Sequence, residues 1–479
     1  MSRAPIAAVV LAAGQGTRMK SAVPKVLHPV GGLPLAAHPI RLALGLDAAP
    51  VVVVVGHQAE RVERTLGAAF PGRVRFALQA EQLGTGHAVQ CALPALEGFD
   101  GVVVILAGDV PLLRRATVER LLAALDGDAE RRPVVAAATM ILDDPTGYGR
   151  IVRDAAGRLT GIVEHKDATP EQRAIRETNA GIYAVDAAFL RAALARLRND
   201  NAQREYYLTD VVAFAAADPR GAAAVVVDDP WEVAGANDRA QLADLDRALR
   251  RRTNRAHMLA GVTMIDPDST YVGLDVELAP DVTLGPGVHL RGKTRVARGA
   301  TIDAGAILTD VEVGEDVEIR AYSVLDDARV ERAAIIGPFS RLRPGAEIGP
   351  EAHVGNFVEI KKATLGPGAK ANHLAYVGDA RVGARANVGA GTITCNYDGY
   401  GKYLTDIGDD VFVGSNSTLV APVKLGDRAY VAAGSTITDP VEADALALGR
   451  ARQVDKPGRA PALRAAAKER AAAHKSKKA

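Results

Sequence analysis

Cysteine is scarce: Cys91 and Cys395 are the chain's two. They stand far apart without metal-ligand spacing, so neither a disulfide framework nor a zinc site is expected, and a reducing cytoplasm fits. Aromatic residues make up 4% of the chain, too few for the stacking platforms that hold single-stranded nucleic acid. An excess of one charge is missing too. Lysine and arginine number 58 against 57 acidic residues, a net charge of +1, so no global field favours nucleic acid or an anionic membrane. No apolar run approaches the ~20 residues of a membrane span. Pro5–Leu11 is too short, and lacks the cleavage pattern, for a secretory leader. What remains is a cytoplasmic protein with small-molecule partners, long enough for two or more domains.

The front of the chain is its most informative stretch. Ile6 to Ala13 is an apolar run that suits a strand covered on both faces. It enters a turn containing Gly14 and Gly16, which permit positive φ and close backbone approach to an anion. Arg18, Lys20 and Lys25 add positive charge where a triphosphate would lie. The turn is neither a P-loop nor a complete dinucleotide fingerprint. From residue 1 to 239, short apolar runs such as Val51–Val55, Val102–Leu106 and Val134–Met140 alternate with helix-like segments, predicting an α/β domain with a mostly parallel sheet. Ligands of such sheets sit beyond the strands' carboxyl ends. Residues 240–260 carry Leu242, Leu245 and Leu249 at helical spacing among charges, predicting an exposed connecting helix with one apolar stripe.

A six-residue period occupies 261–479. Leu278, Leu284, Leu290, Val296, Ile302 and Leu308 keep it, as do Ile407, Val413, Leu419, Leu425, Val431 and Ile437. Such a period marks a solenoid of short strands whose aliphatic positions stack inward. The register departs at Ala333–Glu347, His373–Tyr376 and Thr394–Lys402, where insertions would project as a binding surface. The tail after Arg450, with Arg464, Lys468, Arg470, Lys475, Lys477 and Lys478, is expected to be partly disordered or weakly helical.

The string Leu11-Ala-Ala-Gly-x-Gly-Thr-Arg-Met with Pro24-Lys25 resembles the opening of the sugar-1-phosphate nucleotidyltransferases, and the repeats resemble the left-handed parallel β-helix of hexapeptide acyltransferases, which commonly form trimers. Further strings support one combined likeness: Leu106-Ala-Gly-Asp-Val-Pro-Leu112, Gln79 to Ala88, Gly147-Tyr-Gly-Arg-Ile151, Ile162 to Asp167, Glu177-Thr-Asn-Ala-Gly181 and Gly235-Ala-Asn-Asp-Arg239. In that order and across nearly the whole chain, they resemble the bacterial bifunctional enzymes of UDP-N-acetylglucosamine synthesis.

That resemblance implies a Rossmann-like nucleotidyltransferase domain, a linker helix and an acetyltransferase β-helix. Leu11, Ala12, Ala13, Gly14 and Lys25 would cradle UTP, with Arg18 and Lys25 offsetting charge on the pyrophosphate. Gln79, Gly84 and Thr85 would address uracil, and Ala107, Gly108, Gly149, Glu164 and Asn179 the sugar. Ala107 stands where relatives often carry tyrosine. Asp109 would bind Mg²⁺, a hard ion content with one or two protein oxygens plus water and phosphate. Asn237 is the second candidate ligand, with Asp238 its rival.

In the repeat half, His373 resembles the catalytic base of acetyl transfer, since an amine attacks a thioester only with its lone pair free. Arg343, Lys361, Tyr376 and Asn387 would hold the acceptor sugar phosphate. Ala390, Asn396, Tyr397, Ser415, Ala433 and Arg450 would face acetyl-CoA, with Ser415 or a backbone N–H as oxyanion donor and Glu359 orienting the base. A β-helix serving only as scaffold would need no such cluster.

Overall fold

Runs of valine and alanine build the centre of the first half. The computed structural model describes residues 4–127 and 132–476. They divide into two units, one running to Ala256 with Val272–Leu274 added, the other holding the rest from His257.

The first unit is organised by a nine-stranded sheet: β1 (Ile6–Ala12), β2 (Val51–Val55), β3 (Arg75–Leu78), β4 (Val102–Ala107), β5 (Val135–Ile141), β6 (Arg150–Arg153), β7 (Leu159–Val163), β8 (Glu177–Asp186) and β9 (Ala222–Val226). Its order is β9-β5-β8-β4-β1-β2-β3, with β6 on β8 and β7 on β6. β1 runs parallel to β2 and β4, whereas β8 runs antiparallel to β4 and β5. Side chains alternate between two cores. Ala8, Val10 and Ala12 pack with Ile40, Val62 and Leu66, while Ala7 and Val9 face Val89, Leu190 and Leu194. Each fully buried valine or leucine of this kind contributes about 1.5–3 kcal/mol.

The chain fills the sheet outward from β1 through β2 and β3, then returns to β1's other side with β4. This reversal opens a crevice beyond the carboxyl ends of β1 and β4, the usual ligand position in such sheets.

The helix Arg239–Leu259 is exposed or half-exposed along most of its length, and its apolar stripe buries Leu245 and Leu249 against Val30, Leu35 and Leu112.

The second unit is a left-handed parallel β-helix, whose strands, mostly of two or three residues, align in long parallel ladders. Repeat aliphatics such as Leu284, Ile302, Ile319, Val354 and Val413 are completely buried, as the period requires. Two of the three anticipated register breaks are not insertions. Ile319 pairs with Ile336 and Asn356 with His373, rungs one residue short of three six-residue turns, whereas Ile336 to Val354 is a full rung; all stay in line. Only Thr394–Lys402 is a true excursion, folded back by a Tyr397–Lys402 bridge before Thr405 rejoins Ala380.

The tail forms one solvated helix, Arg459–Ser476. Its alanines and long charged side chains are strong helix formers, which accounts for more order than the sequence suggested. Lys477 and Lys478 lie outside the described residues. Among those described, no helix is long and apolar enough to cross a membrane.

Candidate active sites

At the crevice of the first unit, Leu11 pairs with Ala107 across β1 and β4. The Gly108 N–H donates to Leu11 O at 2.9 Å, which fixes the turn carrying Asp109. Of the two early glycines, only Gly16 takes a left-handed φ, +62°, and a Cβ there would fall 2.4 Å from Lys25 Cβ; Gly14 has open space and no such φ. Gly16 thus lets Lys25 close onto the turn. Lys25 Nζ lies 2.5 Å from Asp109 Oδ2 and donates to Asn237 Oδ1 at 3.2 Å. Arg18 Nη2 donates to the same oxygen at 2.9 Å. Four residues from three distant segments meet at one point.

Asn237 and Asp238 take different places. Asp238 Oδ1 accepts from the Gln241 N–H at 2.9 Å and caps the helix Arg239–Leu259, whereas Asn237 turns its side chain to Arg18 and Lys25. Gly235 leaves room for the carboxylate, since a Cβ there would lie 2.9 Å from Asp109 Oδ2. Asp109 and Asn237 thus offer two hard oxygens to one cationic point. Among the described residues no group of three or more His, Cys, Asp or Glu could hold a metal. A two-oxygen set fits Mg²⁺, which takes its other ligands from phosphate and water.

The other candidates in this unit lie on either side of that point. Gln79 is 4% exposed, and its amide donates to Gly84 O at 3.0 Å. Gly84 has φ +105°, and a Cβ there would strike Tyr206 O. Thr85 opens the helix Thr85–Ala92 and accepts from the Leu208 N–H at 3.2 Å. Gln82, which sequence reasoning did not single out, donates to Ala13 O at 2.7 Å and tethers the glycine turn.

Gly149, Glu164 and Asn179 also converge. A Cβ on Gly149 would lie 3.5 Å from Asn179 Cβ and 3.6 Å from Glu164 Oε1, and the Asn179 N–H donates to Gly149 O at 2.9 Å. Burial pushes the Glu164 carboxyl above the usual carboxylate range, partly opposed by the Thr209 hydroxyl that donates to it at 3.2 Å. Ala107 is half-buried at the end of β4.

In the β-helix, His373 Nδ1 meets Asn356 Oδ1 at 2.9 Å. The expected orienting group, Glu359, is engaged elsewhere: it accepts from Arg343 at 2.8 Å and lies 3.9 Å from Arg341. Asn356 was missed because ladder pairing with His373, not sequence proximity, brings it there.

Above His373 the solenoid stacks Ala390, Ser415 and Ala433. Gly391 N–H donates to His373 O, Asn416 N–H to Ala390 O and Gly434 N–H to Ser415 O. Arg450 continues the column, with its Cδ 4.0 Å from the position of a Cβ on Gly434.

Lys361 lies 3.7 Å from Asp379, to which Asn396 also donates. Lys402 joins them unanticipated, and the Lys361 ammonium beside it holds its amine below the ordinary lysine range. Tyr376 follows Glu359 on its ladder. Asn387 lies on a different face, between Lys370 and Phe412. Tyr397 projects outward at the tip of the excursion, its hydroxyl donating to Gly399 O.

Comparison with known proteins agrees with this two-part geometry. Residues 8–177 match the family model of the MobA-like NTP transferase domain, and 405–439 match that of the hexapeptide repeat of succinyl-transferase. The bifunctional protein GlmU of Anaeromyxobacter sp. (strain Fw109-5) is 55% identical over 98% of this chain and 96% of its own length. The bifunctional protein GlmU of Anaeromyxobacter dehalogenans (strain 2CP-C) is 56% identical over 95% of the chain and 93% of its own. That of Trichlorobacter lovleyi is 50% identical over 94% and 97%. With likeness of this depth over both halves, the chain belongs to the family of bifunctional GlmU proteins.

Proposed function

We propose that the β-helix acetylates glucosamine 1-phosphate with acetyl-CoA and that the front domain then joins the product to UMP from UTP, giving UDP-N-acetylglucosamine and pyrophosphate. The observation that carries this reading is the coexistence of two chemically distinct clusters: Arg18–Lys25–Asp109–Asn237 at the sheet crevice and Asn356–His373 on the solenoid.

In the front domain a phosphate oxygen of N-acetylglucosamine 1-phosphate attacks the α-phosphorus of UTP, and the bond to pyrophosphate breaks. The nucleophile is already ionised, so no protein base is needed and catalysis is a matter of position and charge. Leu11, Ala12, Ala13 and Gly14 line the turn that receives the triphosphate, and Arg18 and Lys25 oppose charge growing on the leaving group. Asp109 and Asn237 would hold Mg²⁺, which when bound supplies further charge neutralisation and orients the phosphates. Gln79, Gly84 and Thr85 receive the uracil, while Ala107, Gly108, Gly149, Glu164 and Asn179 receive the sugar.

In the β-helix the sugar amine attacks the thioester carbonyl, and coenzyme A leaves as the thiol. Asn356 Oδ1 accepts the Nδ1–H of His373, which puts the ring's lone pair on Nε2, where it takes the amine's proton. Arg343, Lys361, Tyr376 and Asn387, with Lys402, hold the acceptor. Ala390, Ser415, Ala433 and Arg450 form the track for acetyl-CoA, with Asn396 and Tyr397 at its edge; Ser415 or a backbone N–H faces the oxyanion.

The chain works as a homotrimer through the β-helix. Support comes from an exposed corner column, Tyr322, Phe339, Phe357 and Leu374, 48–63% exposed and all with left-handed φ. Bulky apolar residues in that conformation are costly and uncommon, so a column of them facing water points to a covering partner. Asn387's position on a separate face from Arg343 and Lys361 is consistent with acceptor sites shared between copies. The protein acts in the cytoplasm on small molecules, without nucleic acid or membrane insertion.

Purified protein given glucosamine 1-phosphate, acetyl-CoA, UTP and Mg²⁺ should yield UDP-N-acetylglucosamine by mass spectrometry. Acetylated sugar phosphate accumulating alone would remove the front domain's role. No reaction except from supplied N-acetylglucosamine 1-phosphate would remove the β-helix's.

A further inference from the structure

We infer that His87 is a positioning residue that fixes which end of the Gln79 amide meets the nucleotide base, and thereby sets the preference for uracil over cytosine. This rests on the reading above that Gln79 addresses the base.

Hydrogen-bond polarity leads to it. Gln79 Nε2 lies 3.0 Å from Gly84 O and 3.2 Å from His87 Nδ1. The Gly84 carbonyl can only accept, so the end of the amide facing it is the NH2, and its second proton points to Nδ1. That ring nitrogen must then carry a lone pair, which places the His87 proton on Nε2. There it faces Cys91 Sγ at 3.7 Å, a sulfur able to accept it. Reversing the amide would set its oxygen against two acceptors in a site only 4% exposed.

The support beneath the ring is rigid. His87 sits in the first turn of the helix Thr85–Ala92. The Gly86 N–H before it donates to Tyr206 O at 2.8 Å, and a Cβ on Gly86 would fall 2.8 Å from that carbonyl and 2.5 Å from Leu197 Cδ1. The helix start is pressed too closely onto Tyr206 and Leu197 for the imidazole to drift.

With both amide protons committed, Gln79 has only its carbonyl oxygen left to offer. Uracil presents an N3–H donor on its pairing edge, and cytosine a bare N3 lone pair at the same place. An acceptor facing N3 therefore pairs with the first and repels the second. Gly84 and His87 each supply one of the two acceptors that hold the amide this way round. Without His87 one buried proton is unpaired and the reversed amide becomes accessible.

The test compares His87→Leu, His87→Asn and Gln79→Ala, using UTP and CTP with N-acetylglucosamine 1-phosphate. Losing one buried neutral hydrogen bond predicts that His87→Leu raises KM for UTP about tenfold and lowers the UTP-over-CTP ratio of kcat/KM by about as much. kcat at saturating UTP and KM for the sugar phosphate stay unchanged. His87→Asn, which keeps an acceptor near the Nδ1 position, restores both values to within about twofold of wild type. Should His87→Leu not fold, His87→Ser replaces it. The proposal is overturned if the deletion variant keeps wild-type KM and base preference while Gln79→Ala loses both, or if His87→Asn is no better than the deletion. If Gln79→Ala itself changes neither quantity, Gln79 does not touch the base, and the underlying assignment fails first.

Discussion

Lys25 Nζ lies 2.5 Å from Asp109 Oδ2 and reaches Asn237 Oδ1 at 3.2 Å, so one ammonium balances both oxygens assigned to magnesium. Its carbon chain stays close to the glycine turn because Gly16 has no side chain. Lys25→Ala should lower kcat for uridylyl transfer by about 10²–10³-fold, the range for removing one preorganised group that stabilises transition-state charge. Asp109→Asn should abolish the magnesium-dependent reaction. Neither change touches the β-helix, so acetyl transfer measured in the same preparations should stay at wild-type rate. Loss of both activities in a folded variant would contradict two independent sites.

Gly16 and Gly14 offer a sharper contrast within one loop. At φ +62°, a side chain at residue 16 would fall 2.4 Å from Lys25 Cβ, whereas Gly14 is open and not left-handed. Gly16→Ala should cost the front domain about 1–2 kcal/mol from left-handed strain, and should raise KM for UTP by displacing Lys25. Gly14→Ala should leave the unfolding midpoint of that domain where it is. Thermal unfolding of both variants checks this; an unfolding midpoint for Gly16→Ala no lower than that of Gly14→Ala would show that Lys25 gives way without cost.

The six-residue period located the solenoid because every rung must bury an aliphatic residue, a constraint that recurs in sequence. The Ile6–Ala13 run and the glycine turn were legible for a similar reason, being local. What sequence left open depends on tertiary pairing. Asn237 and Asp238 are equivalent as neighbours until the helix Arg239–Leu259 takes Asp238 for its cap. Asn356 reaches His373 only through the ladder, and Gln82 reaches Ala13 O from 69 positions away. Two apparent breaks misled because a rung one residue short looks, in sequence, like lost register.

Glu164 supplies a dependence on pH. Burial raises its pKa, and the Thr209 hydroxyl pulls it back. The group is therefore protonated at a pH where an ordinary glutamate is ionised. If the sugar is held by the carboxylate, KM for N-acetylglucosamine 1-phosphate should rise as pH falls through the raised value, above the usual 4.5, with KM for UTP flat. Thr209→Ala removes the hydroxyl that favours the charged form, so the inflection should move to higher pH. Glu164→Gln should abolish it. The sign for stability is the reverse of a salt-bridged carboxylate: the folded state binds this proton more tightly than the unfolded, so the Glu164 contribution is lost as pH rises from the unfolded value through the folded one. An acceptor KM that does not respond to pH in wild type would remove Glu164 from sugar binding.

Asn356 and His373 test the second site. Asn356 Oδ1 accepts from Nδ1–H at 2.9 Å, holding the tautomer whose Nε2 can receive the amine's proton. His373→Ala should abolish acetyl transfer and leave uridylyl transfer from N-acetylglucosamine 1-phosphate intact. Asn356→Ala keeps the base but frees its ring, so kcat should fall by about tenfold or more, a part of the 10²–10⁴-fold that general base catalysis supplies. KM for acetyl-CoA should hardly change, because the Ala390–Ser415–Ala433 track lies on other rungs. Asn356→Asp keeps an acceptor for Nδ1–H and adds a negative charge that favours the imidazolium. It should recover most of the rate and move the acidic limb of the pH–rate profile upward. If Glu359 were the orienting group instead, Glu359→Gln would reproduce the Asn356→Ala defect and shift that limb. With Glu359 committed to Arg343, the expected effect is a higher KM for the sugar phosphate, with the limb unmoved.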